Sequence, residues 1–128
     1  MININPMLLC DFYKTTHSKQ FPAGTTKLVS YFTPRMSRLD GVDEVVVFGI
    51  QAFCKDYLVR YFKEQFFNQP KDKVVAEYKR VLDATIGKDA YDLSKIAALH
   101  DLGYLPVEIK ALPEGTPCAV SGDEQYAS

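Results

Sequence analysis
The chain has 128 residues, 47% apolar and 24% charged, with a formal net charge of -1. These are ordinary globular proportions. They exclude a disordered tail, a collagen and a coiled coil, and the near-neutral balance argues against a polycation for nucleic acid. No apolar run approaches the roughly 20 residues of a membrane span, and no secretory leader is legible. Three cysteines, Cys10, Cys54 and Cys118, are odd in number and widely spaced. The expectation is free thiols, buried as small hydrophobes, in a reducing cytoplasm. The length suggests one compact unit.

The charge is unevenly spread. Residues 1–39 hold Lys14, Lys19, Lys27, Arg35 and Arg38 against Asp11 alone. A basic leading third suits an anionic ligand, or is simply a solvated face.

In chain order, Met7 to Cys10 is a short apolar run that reads as a strand. Asp11 reads as the side-chain N-cap of a helix from Phe12 to about Gln20, with Tyr13 and His17 one turn apart on one face. Residues 21–24 (Phe-Pro-Ala-Gly) stop it. Thr26 to Thr33 is rich in β-formers and predicts a strand, ended by Pro34 and followed by a basic loop. Glu44 to Phe48 predicts a second strand, too uniformly valine-rich for a wet face. Ile50 to Phe67 carries apolar residues every three and four positions and predicts one long helix. Pro70 suits the first turn of the next helix, which runs to Ile86 with Val74, Val75, Tyr78, Val81 and Leu82 inward and Gly87 as its stop. Asp92 predicts the cap of a third helix, Leu93 to Leu102, closed by Gly103. Pro106 to Leu112 alternates polar and apolar residues and predicts a strand, with a turn over 113–117. Helices in a block between strands give an α+β class: a small mixed or antiparallel sheet with three helices packed on one side. Residues 1–120 are read as one domain and 121–128 as a polar tail.

Generic chemistry is sparse. His17 and His100 show no metal-ligand spacing, and His100 suits the last turn of its helix as a cation. The stretch from Asp11 to Pro22 is denser. It gathers an acid, a phenol, two lysines and an imidazole (Asp11, Tyr13, Lys14, His17 and Lys19) at a helix start, where free amides and positive charge favour anions. A phenol ring can also stack on a flat heteroaromatic ring.

Those residues carry a resemblance. Asp-x-Tyr-Lys-x-Thr-His, then Gln20-Phe21-Pro22, then Ser30-Tyr31-Phe32, resembles the N-terminal region of the nicotinamide phosphoribosyltransferases. Val47-Phe48-Gly49-Ile50-Gln51 is similar to a helix start of that family. Residues 105–115 (Leu-Pro-Val-Glu-Ile-Lys-Ala-Leu-Pro-Glu-Gly) are similar to a third family motif. The resemblance spans residues 8–115 with a variable middle.

What it implies is as follows. The family joins nicotinamide to 5-phosphoribosyl 1-pyrophosphate (PRPP), giving nicotinamide mononucleotide and pyrophosphate in NAD salvage. Its members are homodimers with interfacial active sites, and Mg²⁺ assists in the full-length enzyme. By resemblance Tyr13 stacks on the nicotinamide ring, Asp11 lies beside it and Arg35 reaches phosphate. The family carries a second basic residue two positions later, where this chain has Ser37, and Arg38 is offered in its place. No catalytic residue, metal ligand or cofactor of this chain is implied. The family's barrel, its carboxamide-gripping acid and its phosphorylatable histidine lie beyond the matched region, so His17 is not that histidine. The chain is therefore expected to be cytoplasmic, inactive alone, and paired with itself or with the remaining part of the enzyme. The alternative is a non-catalytic truncated homologue serving as a protein-binding or dimerisation module. A nicotinate-using relative is a third reading, because either ring would stack on Tyr13.

Overall fold
The structure, a computed structural model, describes residues 3–120. The tail read over 121–128 lies outside the described residues. The chain divides into two compact units. One comprises the chain up to Thr25 together with Phe53–Val107; the other comprises Thr26–Ala52 and the chain from Glu108.

The first unit is helical and contains the buried core. Phe62, Phe66, Val74, Tyr78, Leu82, Tyr91 and Ile96 form it, with Met7, Leu8, Phe12 and Leu99 among the side chains packed against it. Two helices arise where their sequence signals fall: α2, Lys71–Thr85, and α3, Leu93–Leu102. Along α2, Val74, Tyr78 and Leu82 recur every four residues and are buried, while Val75 and Val81 are half-buried. Pro70 stands one position earlier than expected, as the N-cap of α2. Its carbonyl accepts from the amides of Lys73 and Val74. The Asp92 carboxylate accepts from the Ser94 amide at 2.9 Å and caps α3. Gly103 ends α3 in the left-handed region, at φ 81°, where a side chain would be strained.

Two expectations are corrected in this unit. Met7 to Cys10 is not a strand: Pro6–Leu8 is a 3₁₀ turn, capped by the Asn5 side chain. Proline at the first position is pre-set for helical φ and needs no amide there. The stretch expected as one α-helix after Gly49 is α-helical only over Ile50–Ala52, which is α1 and belongs to the second unit. Phe53–Tyr61 and Lys63–Phe67 are π-helical. The wider turn brings rings four and five apart into contact. Phe53 and Tyr57 stack at 5.2 Å and Tyr57 and Tyr61 at 5.7 Å between centroids, and Tyr57 meets Phe62 edge-on at 5.6 Å. Residue spacing alone does not separate this from an α-helix, since both periods place such residues on one side.

The second unit contains the sheet, two antiparallel strands β1 (Glu44–Val46) and β2 (Pro117–Ala119). Glu44 faces Ala119, Val45 faces Cys118 and Val46 faces Pro117. The class is α+β with a small antiparallel sheet. Its partners are not those expected. Residues 26–33 and 106–112 enter no ladder, and β2 begins at Pro117, inside the segment read as a turn. Strand propensity reports fit to a pleated surface and cannot supply a partner for the backbone amides. The valines of β1 are not shielded either: Val46 is 62% exposed. No helix among the described residues is long and apolar enough to cross a membrane.

Two core phenols carry a pH signature. Burial, aided by the bond to Asp83, pushes Tyr91 up to about 12, and burial pushes Tyr78 to about 12. An ordinary phenol titrates near 10. In the folded state these two hold protons that the unfolded chain releases. Their contribution is intact below about pH 10 and is lost as pH rises toward 12. A tyrosinate absorbance titration should therefore show Tyr78 and Tyr91 ionising late and together with unfolding. Titration of all eight tyrosines as one ordinary group would contradict this packing.

Candidate functional site
The dense N-terminal stretch folds as a 3₁₀ helix, Phe12–Lys19. Phe12 packs against the core of the first unit, while the next side chain, Tyr13, is 59% exposed. The His17 ring meets Tyr13 edge-on at 5.5 Å, with the planes at 62°. The Lys14 ammonium lies 6.0 Å from the Tyr13 ring centre, at the outer limit of a useful cation–π contact. The phenol is thus steadied on its flank and keeps enough open area to meet a planar partner.

Asp11 occupies the N-cap position in an extended conformation, but its carboxylate makes no cap bond. It pairs with Lys14 Nζ at 3.3 Å instead, which corrects the expected capping role. Both partners are more than half exposed, so the pair contributes little stability. Its local effect is to neutralise much of the lysine's charge beside the phenol.

Arg35 and Arg38 lie in the second unit, on the loop after Pro34, and both are exposed. Neither pairs with a carboxylate among the described residues. Between them the Ser37 hydroxyl is used in a local turn: it donates to the Leu39 carbonyl and accepts from the Leu39 amide, both at 3.1 Å. Asp11 and Tyr13 thus share one unit, and the two arginines share the other.

None of the three cysteines is a buried hydrophobe. Cys10 is exposed, Cys54 and Cys118 are half-buried, and all are free. Cys10 borders a cleft of about 260 Å³ with Thr15, Tyr78 and Lys95. Partial burial and the neighbouring Asp11 raise its thiol pKa, against the pull of Lys14, so the reactive thiolate is disfavoured. His100 Nε2 donates to the Gln69 carbonyl at 2.9 Å and its ring meets Phe66 edge-on at 5.3 Å; it serves packing. No group of three or more His, Cys, Asp or Glu side chains able to hold a metal occurs among the described residues.

Sequence reasoning missed one organising contact. The Glu114 carboxylate accepts from the Gly49 amide at 2.7 Å and from the Gln51 amide at 3.1 Å. A carboxylate on the free amides of a helix start is favoured by charge and by hydrogen bonding. It joins the Gly-Ile-Gln and Pro-Glu-Gly segments, more than 60 residues apart. Beside it an open apolar groove of about 560 Å³ is lined by Tyr31, Phe32, Val47, Phe48, Ile109 and Leu112.

With that geometry in view, the chain can be placed. The family described as Nicotinamide phosphoribosyltransferase, N-terminal domain, matches residues 5–109. The class is thus a domain of a pentosyl-transferring enzyme family, and the chain belongs to the nicotinamide phosphoribosyltransferases. It is similar to the nicotinamide phosphoribosyltransferase of Acinetobacter baylyi, with 49% identity over 118 residues, covering 88% of this chain and 23% of that relative. It therefore spans about a quarter of the length of the curated relative it matches. No solved structure matches significantly.

Replacing Glu114 by Ala should cost about 1–2 kcal/mol in the second unit. Hydrogen exchange should show the Gly49 and Gln51 amides losing protection while α2 and α3 keep theirs. Unchanged protection at both amides would refute the cap.

Proposed function
We propose that this chain furnishes the N-terminal share of a nicotinamide phosphoribosyltransferase acting in NAD salvage in the cytoplasm. The observation that carries this reading is the exposed Tyr13 ring, flanked by His17 on a helix whose Phe12 is anchored in the core. A planar pyridine amide stacks on such a face, a contact worth about 0.5–1.5 kcal/mol beyond its buried area. The phenol holds the ring flat so that its nitrogen meets the anomeric carbon of PRPP. A C–N bond forms there, and pyrophosphate leaves with the electrons of the C–O bond. Arg35 offers a planar fork to phosphate oxygens, and Arg38 adds a second cation on the same loop. Asp11 stands beside the stack and holds Lys14.

In this reading Mg²⁺, which the family uses to help pyrophosphate depart, belongs to the complete enzyme, and the residues named here bind and orient the substrates. In this reading the active site forms between subunits of a homodimer, with the N-terminal segment of one completing the site of the other. The isolated 128-residue chain then binds substrates weakly and does not turn over. The Tyr13 face accepts nicotinamide and nicotinate alike, so the choice between acid and amide rests on residues beyond it.

In the catalytically complete enzyme carrying these residues, Tyr13→Ala should raise KM for nicotinamide by about tenfold, the combined loss of stacking and buried ring area. KM for PRPP should stay within about twofold. Arg35→Ala should show the opposite pattern, raising KM for PRPP by about tenfold or more. Unchanged constants in both variants would overturn the assignment and leave the protein-binding module as the better reading. For the isolated chain, incubation with nicotinamide, PRPP and Mg²⁺ should give no nicotinamide mononucleotide above blank.

A further inference from the structure
The geometry points to Asn5 as a positioning residue for the Tyr13 platform, acting through the segment that joins them; this rests on the reading of Tyr13 given above. Asn5 is 3% exposed and is the one buried polar residue among those described. Its side chain bonds in two directions. Nδ2 donates to the Val74 carbonyl of α2 at 3.0 Å, across 69 positions of sequence. Oδ1 accepts from the Met7 amide at 3.1 Å and starts the 3₁₀ turn. The same turn is closed by bonds from the Leu8 amide to the Asn5 carbonyl and from the Leu9 amide to the Pro6 carbonyl. One residue earlier, the Tyr61 hydroxyl clamps Ile4 on both sides: it accepts from the Ile4 amide at 3.2 Å and donates to the Ile4 carbonyl at 2.8 Å.

A buried carboxamide with both ends engaged has one orientation, and each bond it loses leaves a polar group unsatisfied. Asn5 thereby fixes where the leading segment lies against the first turn of α2. The short path through Met7 and Leu8, both packed on the core, then fixes where Asp11 begins the next helix. That helix is of the 3₁₀ type over eight residues, longer than such helices usually run on their own hydrogen bonds. Its direction is set by anchors outside it: Phe12 in the core and Lys19 donating to the Asp89 carbonyl. Asn5 is the anchor at the entrance. Without it the start of the helix is held only from its far side, by Phe12 and Lys19, and the phenol spends less time where a pyridine ring can meet it. A small misplacement at that point is costly, because stacking requires the rings to be nearly parallel.

The test is a double-mutant cycle in the catalytically complete enzyme, reading KM for nicotinamide, KM for PRPP and kcat for Asn5→Ala, Tyr13→Ala and the pair. Asn5→Ala should raise KM for nicotinamide by about five- to tenfold, with KM for PRPP and kcat within about twofold. It should add nothing on top of Tyr13→Ala, because it acts through that ring. Tyr61→Phe removes only the hydroxyl clamp. It should move KM for nicotinamide the same way by a smaller factor, and it carries the test if Asn5→Ala does not fold. A lowered melting temperature with KM for nicotinamide unchanged, or an increase that adds fully to that of Tyr13→Ala, would overturn the proposal. If Tyr13→Ala itself leaves KM unchanged, the functional reading fails and the Asn5 proposal falls with it. If Tyr13→Ala raises KM and neither Asn5→Ala nor Tyr61→Phe does, only the Asn5 proposal fails.

Discussion
A carboxamide buried between two backbone groups, Asn5 on Val74 and Met7, governs how the leading segment lies on the helical core. That segment has little stability of its own. Its helices are 3₁₀ turns, whose hydrogen bonds are poorly aligned, and its surface pair Asp11–Lys14 is too exposed to contribute much. What holds it is the core beneath. Phe62 and Phe66 from the helical stretch over 53–67, Val74, Tyr78 and Leu82 from α2, and Ile96 from α3 close around Met7, Leu8 and Phe12. Truncating a fully buried member such as Phe66 or Leu82 would cost on the order of 2–5 kcal/mol, several times any polar contact at the surface. Rigidity under the phenol is therefore bought by burial several residues away from it.

The second unit is built on a different principle. Every buried hydrophobic residue among those described belongs to the first unit. The second relies on a two-stranded ribbon, extended by the Val47 amide donating to the Thr116 carbonyl at 3.0 Å and the Gly115 amide to the Val47 carbonyl at 2.7 Å, and on the Glu114 cap. A two-stranded ribbon is marginal by itself. Its apolar groove and the exposure of Tyr31, Phe32 and Phe48, each above 85%, are larger than a soluble surface ordinarily leaves bare. In the functional reading this unit contributes cations on a loop, and the loop's charges are free to meet phosphate because no carboxylate among the described residues engages them.

What could be read from the sequence was what neighbours in sequence decide. Asp92 and Gly103 bracket α3 because capping chemistry acts within a few residues. Tyr13 and His17 meet because they stand four positions apart on one short helix, and the family motifs were legible as strings. The rest depends on distant partners. The strands expected over 26–33 and 106–112 carried the right composition and lacked a ladder partner, whereas β2 formed from Pro117–Ala119, which paired with β1 despite its proline. The π-helical turns share their apolar side with an α-helix, so spacing alone could not reveal them. Glu114 capping Gly49, and Asn5 reaching Val74, join residues 65 and 69 positions apart, and no local pattern announces such bonds.

The most direct measurement is the structure of the complete enzyme with nicotinamide bound. The account predicts the pyridine ring lying offset and nearly parallel to the Tyr13 phenol, with ring centres about 4.5–7 Å apart and the Asn5 bonds to Val74 and Met7 intact. A nicotinamide bound elsewhere, with the Tyr13 ring still facing solvent, would contradict it.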